Sequence, residues 1–359
     1  AARVTWAPEV LAPAPTLAPT KEAPVAASEA ALVTTLPSVA SILATFPKDI
    51  AFPAQLVARL HAGLWANTRR HFAVLTGLSG AGKTQLARCY ARGLRGNGNV
   101  DGAFEIVPVQ PGWHDPSSLL GYINPLKNDT YVRTPFLEFL LQAQGDPDRA
   151  YTIVLDEMNL SHPEQYLAPL LSAMETGDAL RLHAQGDVVD GIPASIAYPE
   201  NLVLIGTVNM DETTHGLSDK VLDRAAVIEF WDIDVDAFPG WSTTRLPAAQ
   251  ASQVCEVLGA LVTQLRPVRL HFGWRTIGDV IGYVEAATNG GVLAAEAALD
   301  HAIYAKVLPK LRGEDTPRLR TTLDQVENTL RTRNLIESAD KVAELAHDLR
   351  HLGSARFWR

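Results

Sequence analysis

From Phe72 to Trp231 the chain alternates short apolar runs with longer stretches whose apolar residues recur at helical spacing. The runs Phe72 to Leu75, Phe104 to Val109, Tyr151 to Leu155 and Leu202 to Gly206 are too short for helices and rich in β-branched residues, so they read as buried strands. Between them, Pro135 to Gln144 and Pro163 to Glu175 read as helices. Buried strands that alternate with helices predict a parallel sheet covered on both faces. The pattern changes between Leu180 and Tyr198, where short β-like pieces around Gly186, Asp187 and Gly191 predict an inserted hairpin. Beyond Trp231 the strand-like runs stop, and Gln250 to Leu265, Thr276 to Ala287 and Asp340 to Leu352 read as helices. The expectation is an α/β domain followed by an all-helical one, with no internal repeat.

Ahead of the first strand, Leu56, Leu60 and Leu64 lie at helical spacing in a lead-in segment that starts near Phe46 and ends at Arg69 and Arg70. Residues 1–45 are rich in Ala and Pro (Pro8, Pro13, Pro15, Pro19, Pro24, Pro37), a composition that sustains no helix and buries little, so they read as a linker or arm. This divides the chain into an arm at 1–45, an α/β domain at 46–235 and a helical domain at 236–359. The chain begins at Ala1 without a methionine, which leaves room for a further domain ahead of the arm.

Composition sets limits on this picture. A net charge of −9 argues against a surface that is basic all over, so contact with nucleic acid needs a local basic patch or another subunit. Cys89 and Cys255 fall in different predicted domains and neither belongs to a metal-ligand spacing, which argues against a disulfide framework and a structural zinc. No window approaches the roughly 20 apolar residues of a membrane span, and the first 31 residues lack the basic and apolar segments of a signal peptide. A cytoplasmic protein is expected.

The strongest chemical signal is Gly77-Leu78-Ser79-Gly80-Ala81-Gly82-Lys83-Thr84, which fits GxxxxGK[ST] between a predicted strand and a predicted helix. The glycines let the backbone curl so that successive N–H groups point at phosphate oxygens, and the helix starting at Lys83 adds its positive dipole end. Gly77, Gly80, Ala81, Gly82, Lys83 and Thr84 are the candidate nucleotide-binding residues. Lys83 is expected at the β and γ phosphates, and the Thr84 hydroxyl at Mg²⁺.

The run Tyr151 to Leu155 ends in Asp156-Glu157. In a doubly wound sheet ligands sit at the carboxyl ends of the strands, so both carboxylates should face the phosphate loop's crevice. Asp156 is the second candidate Mg²⁺ ligand and Glu157 the candidate base that orients and polarises water. The run Leu202 to Asn209 ends in polar groups, and Asn209 is a candidate for the γ-phosphate or the attacking water, the alternative being a turn cap. Arg224, in the short amphipathic stretch Leu217 to Ala225, is a candidate arginine finger toward a neighbour's nucleotide, against the alternative of a solvated or salt-bridged arginine. Arg275 lies in the first turn of a predicted helix, where a cation is unfavourable without an anion, so it is a candidate phosphate sensor reaching from the helical domain. His114, His162 and His215 show no metal-like spacing and read as surface or loop residues.

This constellation resembles AAA+ ATPases of the dynein-related and MoxR-like branch, and most closely McrB-type restriction NTPases. The resemblance runs from about Phe52 to the C-terminus. Its more specific phrases are Gln110-Pro111-Gly112-Trp113-His114-Asp115-Pro116-Ser117-Ser118-Leu119-Leu120-Gly121-Tyr122, Asp156-Glu157-Met158-Asn159-Leu160 and Val208-Asn209-Met210-Asp211-Glu212-Thr213-Thr214. It implies an AAA+ P-loop NTPase with a parallel-sheet core and a helical lid. It also implies a homo-oligomeric ring, expected to be hexameric, that serves as the motor or switch of an anti-phage restriction system. Asp115 to Tyr131 is then an insertion in the second helix, facing the pore or upper surface of the ring together with the hairpin of Leu180 to Tyr198. The implied partner is a separate nuclease or other effector, with DNA contact through the ring or that partner and none with a membrane. The chain itself carries no PD-(D/E)xK-like cluster.

Two departures bear on the nucleotide. McrB-type GTPases carry Met-Asn-x-x-Asp at the sensor, where this chain has Val208 first and Glu212 last, and Asp-Glu-x-Asn-Arg, where it has Leu160. The lead-in segment offers Phe52 and Leu56 toward the base and no fixed carboxylate. ATP with Mg²⁺ is therefore the expected nucleotide and GTP the alternative. The competing function is a MoxR-like chaperone that remodels a protein partner without nucleic acid. A neighbouring nuclease gene would favour the first reading and a von Willebrand A-domain gene the second.

Overall fold

A computed structural model describes residues 36–48, 50, 52–96, 101–127, 129–209 and 215–358. The arm expected at 1–45 lies outside this range up to residue 35, as does the part of the sensor phrase from Met210 to Thr214, Glu212 included; the end of the arm departs from the expectation, since Ser38 caps a helix at Val39–Ala44 whose Ile42 is fully buried.

The strands are β1 (Phe72–Gly77), β2 (Phe104–Pro108), β3 (Tyr122–Asn124), β4 (Thr130–Val132), β5 (Tyr151–Asp156), β6 (Leu180–Arg181), β7 (Ser195–Ile196), β8 (Leu202–Asn209), β9 (Ala226–Phe230), β10 (Arg312–Glu314) and β11 (Ser354–Arg356). Five of them form a parallel sheet in the order β2-β5-β8-β1-β9, and the rest pair as three antiparallel ribbons, β3-β4, β6-β7 and β10-β11. In the register of the sheet, Gly77 of β1 lies beside both Asn209 of β8 and Phe230 of β9. Leu155 of β5 lies beside Gly206 of β8. The ends of β1, β5 and β8 therefore share one edge.

Period-two alternation divides the apolar residues of the strands between two cores. Ala73 and Leu75 pack on one face with Val154, Val203 and Ile205. Phe72 and Val74 pack on the other with Ile153, Leu155, Leu202 and Leu204. Burial of each such Leu or Ile contributes about 1.5–3 kcal/mol relative to leaving it exposed. On the first face lie the lead-in helix Ala54–Trp65, through Val57, Leu60 and Leu64, and the helix Lys83–Leu94, through Leu86, Ala87 and Tyr90. That core continues without a break into the helices that follow the sheet.

The helices after the sheet are Ala248–Leu265, Trp274–Thr288, Ala295–Lys306, Pro317–Thr332 and Ile336–Leu352. The part after Trp231 is not wholly helical, because β10 and β11 form a three-residue ribbon there. Their charged, non-alternating residues carry no strand pattern. The helix expected at Pro163 to Glu175 is divided into Pro163–Tyr166 and Ala168–Thr176. Pro169, in the first turn of the second piece, lacks the N–H that a continuous helix would bond to the Gln165 carbonyl, and the break falls at Leu167.

The two expected insertions are joined to each other. Asp115 to Tyr131 holds a short helix, Ser117–Leu120, and the β3-β4 ribbon, with Leu126 fully exposed between the two strands. The β6-β7 hairpin meets it at Tyr131, whose backbone N–H donates to the Asp190 carboxylate at 2.6 Å and whose hydroxyl donates to the carbonyls of Leu120 (2.7 Å) and Leu182 (3.4 Å). Arg133 donates to the Asp190 carbonyl. No helix among the described residues is long and apolar enough to cross a membrane.

Candidate functional site

The loop from Gly77 to Gly82 joins β1 to the helix Lys83–Leu94, and two close approaches determine its shape. At Gly77, with φ +139°, a Cβ would stand 2.4 Å from the Phe230 carbonyl oxygen of β9. At Gly80, with φ +72°, a Cβ would stand 2.5 Å from Cβ of Arg275. Only glycine meets both the backbone angle and the space. The Arg275 N–H donates to the Gly80 carbonyl at 3.2 Å, so the first turn of the helix Trp274–Thr288 is seated on the loop.

Lys83 is almost fully buried, and its ammonium donates to the carbonyls of Leu78 at 2.7 Å and Gly77 at 3.2 Å. The Thr84 hydroxyl donates to Oδ1 of Asp156 at 2.9 Å. That oxygen also accepts from the Thr207 hydroxyl at 2.8 Å, and the Thr207 oxygen in turn accepts the Glu157 N–H at 2.9 Å. Glu157 itself has a left-handed backbone, φ 53° and ψ 47°, a conformation costly for a side chain with a Cβ. The bond from Thr207 holds it there, and Asn209 Nδ2 donates to its Oε1 at 3.0 Å.

These groups line one cavity of about 280 Å³, together with Gly80, Gly82, Arg275, Ser79 and Gln85. Of the candidates named from sequence, only Gly77, Ala81 and Arg224 are outside its lining. Gly77 supports the loop from beneath, and Ala81 lines a second, smaller cavity of about 160 Å³ together with Phe52, Leu56, Phe230 and Trp274. The Phe52 and Trp274 rings are parallel, with centroids 6.4 Å apart. Arg59, Glu229 and Asp232 also line this cavity, so it does hold carboxylates, supplied by β9 and the residue beyond Trp231 rather than by the lead-in segment.

Arg224 is directed elsewhere. It donates to the carbonyls of Leu171 at 3.2 Å and Lys220 at 3.0 Å and lies 3.8 Å from the Glu175 carboxylate, partly exposed. Within one chain it is a salt-bridged surface arginine.

Sequence reasoning missed Thr207, along with Ser79 and Gln85, among the residues of this cavity. The available signal was spacing, since alternation in β8 puts Thr207 on the same side as Asn209. His162 and His215, although far apart in sequence, lie with ring centroids 4.0 Å apart and planes tilted by 37°, and His162 lies 3.4 Å from Glu164. Among the described residues no group of three or more His, Cys, Asp or Glu is arranged to hold a metal ion. Cys89 and Cys255 are not joined in a disulfide.

The donor set fits a metal-bound polyphosphate on chemical grounds. A hydroxyl and a carboxylate, Thr84 and Asp156, meet beside a buried ammonium and a glycine-rich backbone loop, which suits a hard, oxygen-seeking cation such as Mg²⁺ and the anion it accompanies.

Residues 235–354, about a third of the chain, match the model of a domain of unknown function, DUF8727. The match spans the helical part and none of the phosphate loop. No curated protein matches the chain.

Proposed function

We propose that the chain is a Mg²⁺-dependent nucleoside triphosphatase of the AAA+ class, with ATP as its preferred nucleotide. The observation that carries this reading is the convergence of Lys83, Thr84, Asp156, Glu157, Asn209 and Arg275 on one cavity from four separate elements, Glu157 directly following β5. Thr84 and Asp156 would hold Mg²⁺, which when bound supplies charge neutralisation at the phosphates. Lys83 and the N–H groups of the loop supply the counter-charge that binds the polyphosphate. Glu157, held by Asn209 and Thr207, accepts the proton of the attacking water as the bond from the γ-phosphorus to the bridging oxygen breaks, leaving the diphosphate and phosphate. Arg275 brings a positive charge from the helical part, which supports its reading as a sensor.

The same reading makes the protein a ring-forming motor or switch subunit of an McrB-like restriction system, working with a separate nuclease. It rests on the phrases from Gln110 to Tyr122 and from Asp156 to Leu160. In the structure Trp113 of the first packs edge-on against Tyr166 at 5.5 Å, and the Tyr166 hydroxyl donates to the Met158 carbonyl of the second at 2.8 Å.

Two variants test the chemistry. Glu157→Gln keeps the size of the side chain and loses the base, so nucleotide binding is retained while turnover falls by at least about 10²-fold. Lys83→Ala loses binding itself. Wild-type turnover in Glu157→Gln would remove this residue from the mechanism. Affinity purification of the tagged chain tests the system: a co-purifying nuclease supports the restriction reading, whereas a von Willebrand A-domain protein favours the MoxR-like chaperone.

A further inference from the structure

A wide cleft in the helical part shares no residue with the nucleotide cavity. It encloses about 840 Å³ between the segment Val268 to His271, the β10-β11 ribbon and the C-terminal aromatics. Its charged lining is Arg269, Lys310, Arg312 and Arg356 against the single carboxylate of Glu314, a local excess of cations in a chain of net charge −9. A second cleft of about 470 Å³ shares Arg269, Arg312 and Glu314 with it and extends the groove to Arg318.

Within the ribbon, Arg312 is directly opposite Arg356. Like charges at paired positions of an antiparallel ribbon repel and destabilise it. Both side chains are exposed, and neither makes an ion pair or side-chain hydrogen bond among the described residues. This sets them apart from their neighbours in the helical part, where Arg320 is paired with Asp315, Arg331 with Asp340, Arg333 with Glu256 and Arg350 with Asp324. Arg269 has a left-handed backbone, φ 56°, and its guanidinium lies 4.8 Å from the centre of the Trp231 ring. At the rim, Trp358 is 74% exposed. It is anchored edge-on against Phe357 at 4.8 Å, which is itself buried against Tyr304.

We infer that this groove binds single-stranded nucleic acid, with phosphates on the Arg312–Arg356 pair and a base stacked on Trp358. A paired anion removes the repulsion across the ribbon, which no described residue does. Cations that follow a backbone beside an exposed, anchored indole are the combination a single strand uses, since every base offers a face for stacking. An acidic peptide would engage the arginines and leave Trp358 unused. The extension to Arg318 gives room beyond a single mononucleotide. The groove also supplies the local basic patch that an acidic chain needs for such contact.

The test is fluorescence anisotropy of a labelled oligothymidylate of about 20 nucleotides, titrated with the full chain at about 50 mM salt and without nucleoside triphosphate. Saturable binding is expected, with affinity falling as salt rises at a log–log slope near −2 for about three phosphates. Trp358→Ala should weaken it by about 5-fold or more. Reversing both charges, Arg312→Glu with Arg356→Glu, should weaken it by about 10-fold or more and flatten the salt dependence. Arg333→Glu, outside the groove, should leave it unchanged. Circular dichroism melting reports whether the reversals fold, and if they do not, Arg356→Gln replaces them and should still weaken binding by about 3-fold. Absence of oligonucleotide binding, equal binding by the folded variants, or displacement by polyglutamate as effective as by unlabelled oligothymidylate overturns the inference, the last in favour of an acidic protein.

Discussion

The Asn209 side-chain amide donates to Oε1 of Glu157 at 3.0 Å, so the residue that ends β8 sets the direction of the carboxylate that follows β5. Removing that donor leaves the base in place but free to turn. Asn209→Ala is therefore expected to bind ATP as the wild type does and to hydrolyse it about 10- to 100-fold more slowly, the range for loss of one preorganised contact. Asn209→Asp sets a second carboxylate against Glu157 and should be slower still. Single-turnover hydrolysis measures both, and an unchanged rate in Asn209→Ala would mean that the contact does not serve catalysis.

Arg224 is outside the lining of its own chain's cavity, held by the Leu171 carbonyl and near Glu175. If it serves a neighbour's nucleotide, specific activity should rise with protein concentration, because each competent site then needs a second chain. Arg224→Ala and Glu157→Gln chains should each be inactive alone and regain activity when mixed, the first supplying an intact Glu157 and the second the arginine. A mixture that assembles and stays inactive refutes action in trans.

Residues whose role is tied to local pattern were legible before the structure. Lys83 and Thr84 announce themselves by spacing between a strand and a helix, and Asp156 by its place at the end of an apolar run. The contacts that make these residues a site cross the chain and leave no local trace. Thr207 in a strand is ordinary, and only the register of β8 beside β5 brings its hydroxyl to Asp156. The bond between Tyr131 and Asp190, 59 residues apart, joins the two insertions. The helix Pro317–Thr332 did carry a local signal, since Thr316 caps it, Pro317 occupies its first turn and Leu319, Leu323, Val326 and Leu330 recur at helical spacing, a narrow apolar face set among many charges.

Burial lowers the pKa of His71 and of His271 below 6.5. Opposing contributions come from Glu200 near His71 and from Asp232 near His271, whereas Arg266 lowers His271 further. The bonds from His71 to the Leu64 carbonyl and from His271 to the Trp231 carbonyl also oppose the shift, and burial outweighs them, the other nitrogen of each ring being buried without a partner. Above about pH 6.5 both rings are neutral folded or unfolded and their contribution is complete. As pH falls below that value the unfolded chain takes up protons that the folded one refuses, so stability drops by at most about 1.4 kcal/mol per pH unit for each ring. The melting temperature should fall between about pH 7 and pH 5.5. His71→Gln, which keeps a donor and does not titrate, should flatten the slope, and an unaltered slope would exonerate His71.

The last expectation concerns the base. Phe52 lies 3.4 Å from where a Cβ of Gly82 would stand and stacks with Trp274, so an apolar wall begins at the phosphate loop and leads into the small cavity beside it. Selection of guanine by a carboxylate is strong when the carboxylate is buried, because the wrong base then leaves it unpaired. Here the Asp232 side chain is 95% exposed and lies 3.5 Å from Arg266, and Glu229 is exposed as well, so water satisfies both whichever base is present. Discrimination should be small, with ATP ahead of GTP by no more than about 10-fold, because stacking on an apolar wall favours neither edge of the base. Phe52→Ala should weaken both nucleotides alike, by about 5-fold or more. Competition of unlabelled ATP and GTP against a fluorescent analogue measures this, and displacement by GTP well below the ATP concentration required would show that a carboxylate of this cavity reads guanine after all.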